Sequence, residues 1–285
     1  DASGTGWSYR AEEATLTLTG YNGGSISCEK GLNVILSGDN RITVNGGVYY
    51  GISVEGKLLI NKTDSDTGDT LTISTGADTT GYSGSLVRSN NTVMEGGTLN
   101  LSMLGADMSY IAVIGDFTLR GAANLKSELA GDFNDNDTLY LESSGTTDIL
   151  AVEGDSRYNM AVSELAVRGS GPVSIETVNT KKKRAAIGFL REYTGTSKLT
   201  VKGGPVGLAD DYSAAKTRED MCVTSLTDNR YIARQSMFEA IRRTWICDPE
   251  GNILTELTIE AKETPFTITD TPLLDLPAMK VGTNY

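Results

Sequence analysis

The amino-acid sequence predicts an all-β protein built as a right-handed parallel β-helix, and three observations carry that prediction. Alternating apolar pairs recur at a near-constant interval, Gly, Asn, Asp and Thr punctuate the chain between them, and no long apolar run interrupts the pattern. A strand that buries one face repeats its inward side chains every second residue. A fixed interval of a few tens of residues between such strands marks a solenoid.

One series of pairs runs Leu16/Leu18, Ile42/Val44, Leu71/Ile73, Leu99/Leu101, Leu125, Ile149, Val173/Ile175 and Leu199/Val201, in steps of 24 to 29 residues. A second precedes it at Ile26, Ile52/Val54, Leu86, Ile111/Val113, Leu139/Leu141, Met160/Val162 and Ile187/Phe189. A third falls between them at Leu32/Val34, Leu58/Ile60, Phe117/Leu119 and Leu165/Val167. The expectation is three strands per coil, about 26 residues per coil and about seven coils, each stacking on the next at strand spacing. Barrels and sandwiches also give many short strands, but they need no three-strand unit with a single period. Gly23-Gly24, Gly46-Gly47, Gly96-Gly97 and Gly203-Gly204 sit between strand candidates, where positive φ is often needed.

Residues 1–204 therefore read as the solenoid and 205–285 as a C-terminal cap, with room for a further coil and a β-hairpin. In the tail, Met237, Phe238 and Ile241 have helix-compatible spacing within Arg230 to Arg243. Trp245-Ile246-Cys247 and Ile253 to Ile259 read as strands around an Asp248-Pro249-Glu250-Gly251-Asn252 turn. A solenoid must cover its last coil or pair edge to edge with others, so Trp7 and Trp245, near opposite ends, read as capping residues. A separate small recognition domain is the alternative for the tail.

With 32 Gly, 6 Pro and 39% hydrophobic residues in 285, the chain is too apolar for disorder and too punctuated for a helical protein. No apolar run approaches the ~18 residues of a membrane span. No secretory leader precedes Asp1, so the start reads as a mature or trimmed end. A net charge of −12 disfavours nucleic acid and anionic membranes, because phosphate binding needs clustered Lys and Arg. The one basic run, Lys181-Lys182-Lys183-Arg184, reads as a solvated turn, with a patch for an acidic glycan as the alternative. Cys28, Cys222 and Cys247 are too few for a disulfide scaffold. In a solenoid the interval from Cys222 to Cys247 could bring the two into register on neighbouring coils. Buried inert thiols are the other reading.

The opening residues Gly4-Thr5-Gly6-Trp7-Ser8-Tyr9, followed by Ala14 to Gly20 and Tyr21-Asn22-Gly23-Gly24-Ser25-Ile26, have a specific look. Together with Leu32 to Asn40 and Gly51 to Leu58, they resemble clostridial and other gut Firmicutes surface proteins described as carbohydrate-binding domain-containing. The resemblance covers residues 1 to about 204. It implies a secreted or wall-attached β-helix that binds plant or host polysaccharide, in some members with calcium. The family has no fixed functional motif, so no residue role is carried over.

Glycan binding needs side chains that stack on sugar rings. Tyr21, Tyr50, Tyr82, Tyr110 and Tyr158 each precede a second-series strand, and along a solenoid they would form a rough line on one edge. The alternative is that each ring covers its own turn, and their varying offsets favour this. Calcium is the candidate cofactor, since hard cations take several oxygen ligands. Asp64, Asp66 and Asp69 alternate in one oxygen-rich loop, and Asp132, Asp135 and Asp137 belong to a second. Asp and Asn equally dominate ordinary turns.

The chain contains no His, which removes His-based triads and His zinc sites. Asp210-Asp211 is an adjacent carboxylate pair of the polygalacturonase kind, but the Gly-His-Gly element of those enzymes is missing. A calcium-assisted lyase would need Asp64, Asp66 or Asp69 with Arg88 as base. The functional expectation is a non-catalytic, secreted or cell-surface polysaccharide-binding protein, with cell-wall or other glycan as partner. An adhesin or structural spacer of the envelope is the alternative, followed by a pectin-active lyase or hydrolase.

Overall fold

The structure is a computed structural model, and it describes residues 1–46, 49–63, 68–76, 84–104, 111–152, 158–178, 185–204, 206–208, 222–226, 230–238, 241–247, 254–259 and 266–269. All described secondary structure is β. The chain opens with β1 (Ala2–Gly4), β2 (Trp7–Arg10) and β3 (Thr15–Thr19). Two levels of three short strands follow: β4 (Asn22–Gly23), β5 (Ile26–Cys28) and β6 (Leu32–Ser37), then β7 (Asp39–Val44), β8 (Tyr50–Val54) and β9 (Lys57–Lys62). From there each level pairs a short strand with a long one. These are β10 (Thr70–Thr75) with β11 (Ser85–Met94), β12 (Thr98–Met103) with β13 (Val113–Gly121), and β14 (Asn124–Leu129) with β15 (Asp135–Ser143). Next come β16 (Thr147–Ala151) with β17 (Tyr158–Val167), and β18 (Val173–Thr177) with β19 (Ala185–Gly195). The remaining strands are β20 (Leu199–Lys202), β21 (Gly207–Leu208), β22 (Cys222–Leu226), β23 (Arg230–Phe238), β24 (Ile241–Cys247), β25 (Glu256–Ile259) and β26 (Phe266–Thr269).

The parallel strands stack as a β-solenoid of about five turns, about 26 residues apart. One sheet, here sheet A, runs β3-β6-β9-β11-β13-β15-β17-β19, and the facing sheet B runs β7-β10-β12-β14-β16-β18-β20. Pairing sets identical inward positions above one another. In sheet A, Leu16, Val34, Ile60, Met94, Leu119, Leu141 and Val167 are successive register partners, and all are buried. In sheet B, Ile42, Ile73, Leu101, Ser127, Ile149, Ile175 and Val201 form the matching column. Ser127 is the small member of that column. Elsewhere in the core, Phe117 and Phe133 meet edge to face with centroids 6.0 Å apart.

The second and third predicted strands are separate only in the early levels. From β11 onward they fuse into one long strand with a bulge between them. Arg88 pairs with Ile114 and Asn91 with Asp116, so Ser89 and Asn90 together oppose Gly115 alone. An extra residue bends a strand and leaves backbone groups outside the ladder. Here side chains satisfy them: Gly115 N donates to Asp137 Oδ2 at 2.9 Å, and Asn134 Nδ2 donates to Gly115 O at 3.2 Å. Inside the bend, the Ser89 and Thr92 hydroxyls share a 2.7 Å hydrogen bond.

Several sequence expectations are corrected. Leu16/Leu18 do not align with Ile42/Val44. They lie on β3 in sheet A, opposite Val34 and Leu36, because the hairpin β1-β2 delivers the chain antiparallel onto that sheet. Leu139/Leu141 belong with Phe117/Leu119 in the third segment, not the second. Met237, Phe238 and Ile241 do not lie on a helix: they belong to β23 and β24, which pair antiparallel. The β-branched and aromatic residues Tyr231, Ile232, Thr244, Trp245 and Ile246 favour that pairing over a helical spacing carried by three residues. The hairpin expected around Asp248–Asn252 also fails, since β25 pairs antiparallel with β20 rather than with β24. Likewise β26 pairs antiparallel with β19. Trp7 lies on β2, half-buried against the core at the first level. Cys222 lies on β22 and Cys247 on β24, with β23 between those two strands in the sheet β21-β24-β23-β22. That puts roughly two strand spacings between their backbones, beyond the ~7 Å Cα limit for a disulfide.

Candidate functional site

The tyrosines of the predicted aromatic edge do not share one line. Tyr21 lies just before β4 beside Asn40: its N donates to Asn40 Oδ1 at 2.9 Å, and its O accepts from Arg41 N at 2.6 Å. Its hydroxyl donates to Gly24 O at 3.1 Å, and the ring lies against Gly23, where a Cβ would collide with it. Tyr21 thus covers its own turn. Tyr50 opens β8, past the far end of β7, so Tyr21 and Tyr50 stand at opposite ends of the sheet B strands rather than in one line. The cause is chain position: Tyr21 leads into sheet B and Tyr50 into sheet A. Tyr158 begins β17 opposite Ala185. Tyr82 and Tyr110 lie outside the described residues.

Around Tyr50 a different arrangement emerges. The Arg88 guanidinium carbon sits 5.0 Å from the Tyr50 ring centroid, within cation–π range. Tyr49 lies beside it with ring centroids 6.4 Å apart and planes at 48°, and it is 60% exposed, an unusually open position for a tyrosine. Arg88 faces outward from β11, between Ser53 and Ile114 in register. Tyr49 was missed in the sequence because it precedes no strand directly. The doublet itself was the available signal, since neighbouring residues in extended chain point to opposite sides and both rings cannot enter the core.

Of the acidic-loop carboxylates, those of Asp69 and Asp137 bind backbone amides. Asp69 is buried, with Oδ1 accepting from Gly38 N at 2.7 Å and Oδ2 near Thr63 Oγ1 at 3.4 Å. Asp137 accepts from Gly115 N, and Asp116 Oδ1 accepts from Thr138 N at 3.0 Å, so β13 and β15 clasp each other at the bend. Asp132 contributes its backbone oxygen to Ala112 N at 2.7 Å. Asp135 lies on β15 in register with Ala161. Asp64 and Asp66 lie outside the described residues, as do Lys181 to Arg184 and Asp210-Asp211. Among the described residues no three His, Cys, Asp or Glu side chains converge on a common point. Asp69 and Arg88 also belong to different segments, one entering sheet B and the other on sheet A. Replacing Asp137 with alanine is expected to cost about 1–3 kcal/mol by orphaning the Gly115 amide. A urea unfolding curve reads this directly, and an unchanged midpoint would refute the clasp.

No protein-family model, curated protein or solved structure matches this chain. Among the described residues no helix is long and apolar enough to cross a membrane.

The outward face of sheet A carries charges in coil-to-coil contact. Asn61 Nδ2 donates to Glu95 Oε2 at 3.3 Å, Arg120 Nε donates to Glu95 Oε1 at 2.8 Å, and Arg168 Nη1 lies 3.7 Å from Glu142 Oε1. These exposed pairs add little stability individually. Beside them, the Tyr140 hydroxyl donates to Glu164 Oε2 at 3.0 Å. Burial, reinforced by the Glu164 carboxylate, holds the Tyr140 phenol above its ordinary pKa of 10.0. A raised folded-state pKa favours the protonated form, so this contribution is present below pH 10 and is lost as pH rises through the folded value. Tyr140→Phe is expected to remove the highest-pH step from an ultraviolet titration of the tyrosines. Retention of that step would place the perturbed phenol elsewhere.

Proposed function

We propose that this chain is a non-catalytic polysaccharide-binding protein acting outside the cell or attached to its surface. One observation supports the reading above others: the exposed Tyr49 ring beside Tyr50, with Arg88 stacked on the latter. Flat amphipathic rings suit the apolar faces of sugars, and the guanidinium supplies hydrogen-bond donors at their rim. The stacked fold suits the role, since each coil adds a strand spacing to a stiff surface along which a long polymer can lie. In this reading the levels from β4 to β19 make about seven coils, and β25 and β26 cap the last of them by antiparallel pairing. The opening segment's resemblance to carbohydrate-binding surface proteins points the same way.

The test is a glycan array covering plant, mucin and cell-wall polymers, run with millimolar calcium and with chelator. Binding by the wild type, weakened about tenfold in Tyr49→Ala/Tyr50→Ala, is the expected result. Absence of binding to every polymer under both conditions would defeat the reading. Neither substitution touches the inward columns, so melting should shift little.

A further inference from the structure

We infer that the outward face of β10 and β12 is the surface that meets the polymer, and that the polymer it takes is uncharged. The inference rests on the polysaccharide-binding reading above. Register places Thr70, Thr72 and Ser74 beside Thr98, Asn100 and Ser102, all on the solvent side, since Leu71, Ile73, Leu99 and Leu101 between them are buried. The six form a flat grid, spaced about 4.8 Å between strands and ~6.6 Å along each. Every one is a hydroxyl or carboxamide that both donates and accepts hydrogen bonds, as sugar hydroxyls do.

The grid carries no charge although the chain's net charge is −12. The strands on either side carry outward charges, Asp39 and Arg41 on β7 and Lys126 and Glu128 on β14, and so do Asp148 on β16, Glu176 on β18 and Lys202 on β20, so the uncharged patch is confined to β10 and β12. Burying a charge against a partner that offers no counter-charge costs desolvation energy that nothing offsets. A charge-free grid avoids that cost only for an uncharged, hydroxyl-dense partner. The grid is also held in place: Thr70 Oγ1 donates to Asp39 Oδ1 at 2.9 Å, and Asn100 Nδ2 donates to Thr72 Oγ1 at 3.3 Å. Side chains fixed before contact lose less entropy on binding.

The aromatic corner lies toward one end of the grid's neighbouring strand. That strand, β7, pairs with β10 along six residues and ends at Val44, whose carbonyl accepts from Gly76 N at 2.8 Å just past β10. Tyr49 and Tyr50 follow β7 at that same end. The stacking rings thus follow the strand next to the grid, at the end where Ser74 and Ser102 lie.

The experiment uses pull-down of the intact chain on two probes, insoluble β-1,4-glucan and an anionic polyuronate. Wild type is expected to bind the glucan, Thr72→Lys/Ser102→Lys to bind it about tenfold more weakly, and Thr17→Lys/Thr118→Lys, on the other sheet, to match wild type within about twofold. Thermal melting checks that each variant is folded, and Thr72→Lys alone serves if the double variant is not. Equal glucan binding by all variants overturns the proposal, as does binding to the polyuronate without the glucan. Either result leaves the polysaccharide-binding reading standing. Retention of neither probe overturns the proposal, and only silence across the wider glycan array also overturns the reading.

Discussion

Phe117→Ala is expected to lower the unfolding free energy by about 3–5 kcal/mol, the range for removing a fully buried phenylalanine. Phe117 is 0% exposed and occupies the inward column that passes from Leu32 and Leu58 through Thr92 to Leu139 and Leu165. Its edge-to-face contact with Phe133 adds to plain burial. Phe133 lies in the segment that precedes β15, so truncating Phe117 loosens contacts on two levels at once. Equilibrium urea unfolding gives the number, with Phe117→Leu as a milder control expected to lose about 1 kcal/mol. A loss below that control would show that the two rings do not anchor the middle coils.

Gly115→Ala is the second large effect, with an expected cost of about 3 kcal/mol. Gly115 has φ +95°, in the region that L side chains rarely adopt, and a Cβ there would meet the Ser89 carbonyl oxygen inside van der Waals contact. Both penalties arise from one cause, the bulge in which Ser89 and Asn90 face a single residue. Neither can relax by a side-chain rotation, because the obstacle is backbone of the neighbouring coil. Pairing this variant with Asp137→Ala in a double-mutant cycle measures how far the strained Gly115 backbone and its amide bond are coupled. The two changes should be strongly non-additive, since both act through the Gly115 backbone. Additive losses would mean that the amide bond and the bulge are independent.

The stacking period was legible because a buried strand leaves a two-residue signature, and pairs such as Leu99/Leu101 and Val173/Ile175 carry it openly. Phase was harder to read. Leu16/Leu18 look like any other pair, and only the antiparallel hairpin before them moves them onto sheet A. The tail misled for a related reason: Met237, Phe238 and Ile241 satisfy a helical spacing locally, while the partner strands that decide otherwise lie elsewhere in the chain. Of the candidate site, Tyr50 was visible as a tyrosine before a strand. Its stacking on Arg88 was not, because 38 residues separate the two in sequence and only coil stacking brings them together. Asp69 and Asp137 read equally as metal ligands or turn formers, and the backbone amides of Gly38 and Gly115 account for their carboxylates.

The sequence by itself determined the repeat, the inward and outward alternation within each strand and the lack of histidine. Those properties depend on residue type and short-range spacing, which one chain displays in full. Only the tertiary structure decided which segments fuse, where the bulge falls, and which polar residues share a face. Thr72 and Asn100, 28 residues apart, become neighbours on an uncharged grid only through the parallel register of β10 and β12. A pattern of alternation says which side of a strand is wet, but register between strands decides what stands beside what, and a binding surface is made of neighbours.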